Sequence, residues 1–161
     1  MRRRAARLGV AVAVVASALS LPSARAGLAS TPFIDPTFNV DVQHDIVYST
    51  AINVVGDPVT LTLDVYTPRG DNSVARPAFV FAHGGFFAFG DKSEGSGWGN
   101  RLAQRGYVVV SINYRLSASL VVAPVDTQVE IDEINDARED MQTAVRWVRA
   151  NATSLLSLIH I

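Results

Sequence analysis

The chain contains no cysteine. Disulfides, thiol nucleophiles, zinc–cysteine sites and lipid attachment at an N-terminal cysteine are therefore excluded. It has no excess of charge of either sign: 14 basic side chains stand against 15 acidic ones, a net charge of −1. That removes the electrostatic case for a nucleic-acid partner, which would need a basic face. No run is long enough to cross a bilayer comfortably. The uncharged apolar stretch Leu8 to Leu21 is about fourteen residues, against the ~20 that a spanning helix needs. Internal repeats and low-complexity segments are absent too, and 161 residues suggest one domain.

The same apolar stretch has a different use. Arg2, Arg3, Arg4 and Arg7 precede it, and Ala24-Arg25-Ala26 follows it with the small-x-small pattern of a signal-peptidase site. Residues 1–26 are expected to be an export signal cleaved near Ala26, with a secreted, extracellular mature chain starting near Gly27. A short membrane anchor is the alternative. The mature portion is near the size at which burial alone can hold a compact domain without disulfides.

Residues 27–39 carry Pro32 and Pro36 without periodicity and read as an extended leader. Ile46 to Val55 predicts a strand, and Gly56-Asp57-Pro58 a turn. Val59, Leu61, Leu63 and Val65 then alternate with Thr60, Thr62, Asp64 and Tyr66, which predicts a half-buried strand and an antiparallel hairpin. Ala78 to Ala82 and Tyr107 to Ile112 are short, nearly continuous apolar runs of the kind buried on both faces of a parallel sheet. Trp98 to Arg105 predicts a short helix stopped by Gly106. From Thr127 the period is helical: Ile134, Ala137, Met141, Ala144, Val145, Val148 and Ala152 form one core-facing stripe. Thr127 and Glu130 can form a capping box. Glu130, Asp132, Glu133 and Asp136 early and Arg146 and Arg149 late suit the helix dipole and read as a solvated face. The whole is α/β, an antiparallel lead-in to a parallel sheet.

The first parallel strand ends in "FVFAHGGFFAFGDKS". In acyl transfer a carbonyl oxygen gains negative charge, and fixed backbone N–H groups stabilise it; losing one donor costs about 3 kcal/mol of barrier. Aiming two successive N–H groups at one point demands backbone conformations that side chains oppose and glycine allows. Gly84 and Gly85 stand where such a loop belongs, at the carboxyl end of a buried strand, the place where open α/β sheets bind ligands. An ordinary turn with His83 as a packed or capping residue is the alternative. Phe86, Phe87 and Phe89 suit either an acyl pocket or a core.

"LDVYTPRGD", "RPAFVFAHGGFFAFGDKS", "LAQRGYVVVSINYRL" and "DAREDMQTAVRWVRANA" together resemble the N-terminal half of α/β-hydrolase-fold carboxylesterases and lipases with a His-Gly-Gly loop, the type-B carboxylesterase and hormone-sensitive-lipase-like groups. The likeness covers roughly Asp64 to Ala152. It implies that His83, Gly84, Gly85 and Phe86 form the oxyanion loop, with the N–H groups of Gly85 and Phe86 as donors; many relatives have a third glycine where this chain has Phe86. It implies a structural role near the site for Asn113, Tyr114 and Arg115, with Tyr114 and Arg115 anchoring the loop. No metal or organic cofactor is implied.

The family's Ser-His-acid triad is not in this chain. Its serine sits in Gly-x-Ser-x-Gly between strand and helix. Neither Ser93 in "DKSEG" nor Ser96 in "EGSGW" has glycine at both of the motif's flanking positions, and Ser111, Ser117, Ser119, Ser154 and Ser157 fail as well. In this fold the catalytic histidine comes last, so His44 and His83 are too early. After "WVRANAT" the likeness stops. Leu156-Ser157-Leu158-Ile159-His160-Ile161 is what CTG-TCT-CTT-ATA-CAC-ATC encodes, the transposon-end adapter of sequencing libraries. Residues 27–155 are thus expected to be the N-terminal part of an α/β-hydrolase domain, with residues 156–161 a translated adapter, His160 included. The "AFVFA" strand would lie between the "YVVVSI" strand and a nucleophile strand beyond the chain, leaving an open, aggregation-prone edge. The implied parent protein is a secreted carboxylic-ester hydrolase acting on a small-molecule ester, with no nucleic-acid partner and no stable membrane span. The alternatives are a serine peptidase or amidase of the same fold, or a non-catalytic binding protein on it.

Overall fold

A computed structural model describes residues 31–71, 73, 76–116 and 127–155. The expected signal over residues 1–26 and the sextet 156–161 lie outside the described residues. Strands β1 (Val40–Ile52) and β2 (Pro58–Pro68) form the antiparallel hairpin, closed at its tip by Asn53, whose Oδ1 accepts from Asp57 N–H at 2.8 Å. Strand β3 (Ala78–Ala82) leads through a loop and a short 3-10 turn to helix α1 (Ser96–Ala103), then to strand β4 (Val108–Ile112) and helix α2 (Thr127–Ala150). The sheet order is β1-β2-β4-β3, with β2 antiparallel to β4 and β3 parallel to it.

The two faces of the sheet are covered by different helices. Leu61, Leu63, Val65, Val108, Val110 and Ile112 pack with Ala144 and Val148 of α2. Tyr66 and Val109 pack with Ala103 of α1 on the other face. Full burial of each such side chain stabilises the fold by roughly 1.5–3 kcal/mol relative to leaving it exposed.

This double cover corrects the expectation of a half-buried β2. Asp64 and Tyr66, on its polar side, are 3 % and 2 % exposed. Alternation signals a solvated face only where nothing packs on it. The two parallel strands also differ from one another. All five residues of β4 are buried, whereas β3 has none buried and Phe79 is 42 % exposed. β3 is an outer strand of the described sheet, so its apolar sequence outruns its burial.

Helix α2 carries the expected stripe, with Ala137, Ala144 and Val148 buried and Met141 packed beside them. Ile134 is 46 % exposed and lines an open cavity beside Ala82 and His83. Thr127 is already the first helical residue, so it does not stand at the cap position of the expected box. The acidic face is not simply solvated either. Glu133 and Asp140 are buried in the stripe itself, and Asp136 pairs with Arg115 at 3.0 Å.

Candidate active-site loop

Strand β3 delivers His83 to the carboxyl edge of the sheet, and the chain then turns sharply. Gly85, Phe86 and Phe87 take φ values of +112°, +54° and +63°. The Gly85 carbonyl accepts from Ala88 N–H at 3.0 Å and Phe89 N–H at 3.2 Å, which closes the turn. Only glycine fits at residue 85: a Cβ there would overlap the Phe89 carbonyl. Gly90 is equally confined, since a Cβ would collide with His83 Nδ1 and stand 2.7 Å from Glu94 Oε1. At Gly84, by contrast, a Cβ meets nothing. Among the described residues, the N–H groups of Gly85 and Phe86 donate to no acceptor. Successive N–H groups left open by such a turn form an anion-binding concavity.

Two residues hold this loop from beneath. Tyr114, just past β4, donates its hydroxyl to the His83 carbonyl at 2.9 Å and stacks on the His83 ring, centroids 4.4 Å apart. Burial, then the charge of Glu94, pushes the Tyr114 phenol up, so it stays a donor. His83 is 5 % exposed, and its Nδ1 lies 2.7 Å from the Gly84 carbonyl. A carbonyl only accepts, so Nδ1 carries the proton and the imidazole is a loop fastener.

The far end of the loop is fixed at Lys92, which sequence reasoning missed. Its N–H donates to Asn113 Oδ1 at 2.7 Å, its carbonyl accepts from Ser111 Oγ at 2.6 Å, and its ammonium sits 2.5 Å from buried Asp64 and 2.9 Å from Asp45. Asp64 also accepts from Asp45 N–H and from His44 Nδ1. Burial alone would raise the Asp64 carboxyl, but the hydrogen bond from Lys92 and those from Asp45 and His44 hold it below its ordinary value. Burial likewise opposes the charge on Lys92, and Asp64 and Asp45 outweigh it and raise its pKa. A bulge in β1 between Gln43 and Ile46, with Asp45 at φ +57°, aims His44 and Asp45 at this cluster. The signal available beforehand was a charged residue inside an otherwise β-forming alternation.

Asn113 also donates to Thr62 Oγ1 and accepts Tyr48 O–H on its carbonyl, which ties the end of β4 to the hairpin. Arg115 departs from its expected role, because it does not touch the loop. Its guanidinium engages both oxygens of Asp140 at 2.8–3.1 Å and donates to the Ile52 carbonyl at 2.7 Å. It therefore joins the hairpin to α2. Burial works against its charge, but Asp140 more than compensates and raises its pKa. Burial is also the main reason the Asp136 carboxyl is raised.

A cavity of about 380 Å³ opens between the loop and α2, lined by Ala82, His83, Phe87, Tyr114, Ile134 and Met141. Among the described residues no group of three histidine, aspartate or glutamate side chains could hold a metal ion. None of the described helices is long and apolar enough to cross a membrane.

A mixed sheet between two helices, with a strained His-Gly-Gly loop at the carboxyl end of a parallel strand, defines an incomplete α/β-hydrolase fold. Comparison with known proteins then gives the family. The carboxylesterase family profile matches residues 42–155, and the chain belongs to that family. It is 29 % identical over 101 residues to esterase-5B of Drosophila persimilis, covering 63 % of this chain and 18 % of that protein. It is 29 % identical over 123 residues to the neuroligin-like protein glit-1 of Caenorhabditis elegans, covering 75 % and 14 %. Among solved structures, native esterase 2 of Thermogutta terrifontis is 28 % identical with a TM-score of 0.53, over 74 % of this chain and 36 % of that one. The chain thus spans less than a fifth of these two relatives and little more than a third of the solved esterase.

Proposed function

We propose that this chain is the N-terminal part of an exported carboxylic-ester hydrolase. A serine beyond the chain attacks the ester carbonyl, the Gly85 and Phe86 N–H groups stabilise the resulting oxyanion, and a histidine and an acid beyond the chain complete the triad. The histidine takes the serine proton, gives it to the departing alcohol, and then activates the water that releases the acid. The observation that carries this reading is the turn at Gly85–Phe89, which leaves two adjacent N–H groups without acceptors at the carboxyl end of β3. Family membership supports it. The continuation is supported by β3, whose outer edge is apolar and unpaired among the described residues, and by the small share of its relatives that the chain spans, 18 % and 14 % of the two proteins above. Export rests on the arginine-led apolar segment and Ala24-Arg25-Ala26.

The experiment is to amplify the gene from its source DNA beyond residue 153, express the full-length protein and assay 4-nitrophenyl butyrate. The expected reading frame continues into a strand and Gly-x-Ser-x-Gly, and the expected mature N-terminus is near Gly27. The full-length protein should turn over, and the 161-residue chain should not. Gly85→Ala, which cannot hold the turn, should lower kcat about a hundredfold to a thousandfold with less effect on KM. A full-length protein lacking the serine elbow and turnover would establish the non-catalytic alternative instead.

A further inference from the structure

Phe86 and Phe89 are large apolar side chains that the fold does not use for its core: they are 83 % and 55 % exposed. Both stand beside the open N–H pair. The Phe86 ring hangs from a residue that supplies one of the donors, about 4 Å from its nitrogen by bond lengths alone. Phe89 packs against Gly85, which carries the other donor, with its Cδ2 3.0 Å from where a Cβ on Gly85 would sit. The two ring centroids are 6.2 Å apart and the rings are tilted 58° to each other, so the two aromatic faces are adjacent.

The conformation of Phe86 sharpens the point. A bulky residue at φ +54° is an outlier, and glycine would satisfy the same backbone without strain. Its ring is too exposed to contribute buried packing that would offset that strain; among the described residues its ring partner is Phe89. Strain kept at an exposed aromatic residue calls for a role in what the loop receives.

We propose that Phe86 and Phe89 wall the carbonyl position, so that the site takes esters with an unbranched chain on the carbonyl and excludes those with a quaternary carbon there. The proposal rests on the hydrolase reading above. A quaternary carbon projects a methyl group in every rotamer, so a wall on two sides meets one whichever way it turns. A methylene turns a hydrogen toward them and lays its chain along the aromatic faces.

The test uses the full-length protein with 4-nitrophenyl butyrate and 4-nitrophenyl pivalate, which share a leaving group and differ at the carbon beside the carbonyl. Phe86→Gly and Phe89→Ala should each raise the pivalate-to-butyrate ratio of kcat/KM by about tenfold or more, the usual scale for misfitting methyl groups. Phe89→Ala leaves every backbone group and residue 86 in place, so it decides the matter if Phe86→Gly does not fold. An enzyme that hydrolyses butyrate and shows the wild-type ratio in the folded variants overturns the wall and leaves the hydrolase reading intact. Absence of butyrate turnover in the wild type overturns that reading first, and this one with it.

Discussion

Replacing Arg115 by Met should be among the most damaging single changes outside the loop. The Arg115 side chain is 9 % exposed and the Asp140 side chain 3 %, so solvent screens their pairing little. The guanidinium satisfies both Asp140 oxygens, while the Arg115 N–H supplies one further bond at 2.8 Å. Methionine fills the volume and leaves Asp140 with that single N–H. Removing one partner of a buried pair costs about 3–5 kcal/mol. Asp136 loses its partner as well, but at 21 % side-chain exposure it contributes less, and Glu139, at 60 %, contributes least. The expected loss is therefore about 3 kcal/mol, read as a fall in the urea midpoint of the full-length protein by circular dichroism. The sharper measurement is the double variant Arg115→Met/Asp140→Leu. With Asp140 no longer stranded and only the more exposed Asp136 left unpaired, it should recover much of the loss, since apolar replacements of buried pairs are often neutral. A single variant costing under about 1 kcal/mol, or a double variant no more stable than the single, would refute the assignment of this pair as a coupled buried clamp.

Two further outcomes follow from the polar groups around the loop. Because the Asp64 carboxyl is held below its ordinary value, its contribution is fully present above the ordinary carboxylate range of about 4 and is lost as pH falls through its lower folded value. Asp64→Asn should thus cost about 3 kcal/mol at neutral pH, and its urea midpoint should converge with wild type in acid; a gap independent of pH would count against the Lys92 pairing. Tyr114→Phe keeps the ring stack but leaves the His83 carbonyl without its donor, which should cost about 1–3 kcal/mol and lower kcat more than it raises KM; unchanged kinetics would separate the loop from Tyr114.

Much of the framework was legible because it depends on periodicity. The hairpin, both parallel strands and both helices lie close to where alternation, continuous apolar runs and the 3.6-residue stripe place them, although β1 begins at Val40 rather than Ile46 and ends at Ile52 rather than Val55. What periodicity does not report is which polar side chains are buried. Asp64 reads as the solvated half of an alternating strand until that face is covered, and Glu133 reads as a helix surface although it stands, with Asp140, in the stripe of Ala137, Ala144 and Val148. The position of Arg115 explains why Asp140 belongs there. The loop itself was legible as His-Gly-Gly, but its strain was not. Nothing in two successive phenylalanines announces positive φ values.

That strain bears on what the loop can do. Phe86 and Phe87 in the left-handed region cost on the order of 1–3 kcal/mol each. The opposing contacts are of the same size: the Tyr114 and His83 hydrogen bonds give about 1 kcal/mol each and the stacked rings about 0.5–1.5 kcal/mol. Lys92 adds a third attachment at the far end, through its N–H, its carbonyl and its ammonium together. A loop balanced in this way does not hold its shape by local preference; it holds it because both ends are fastened to β4 and the hairpin. Backbone donors stabilise a developing oxyanion only if they are already aimed when the charge appears. Fastening a strained turn at both ends achieves that aim, and the residues that do it, Tyr114, Asn113, Ser111 and Asp64, all come from the two central strands or the segment just beyond β4.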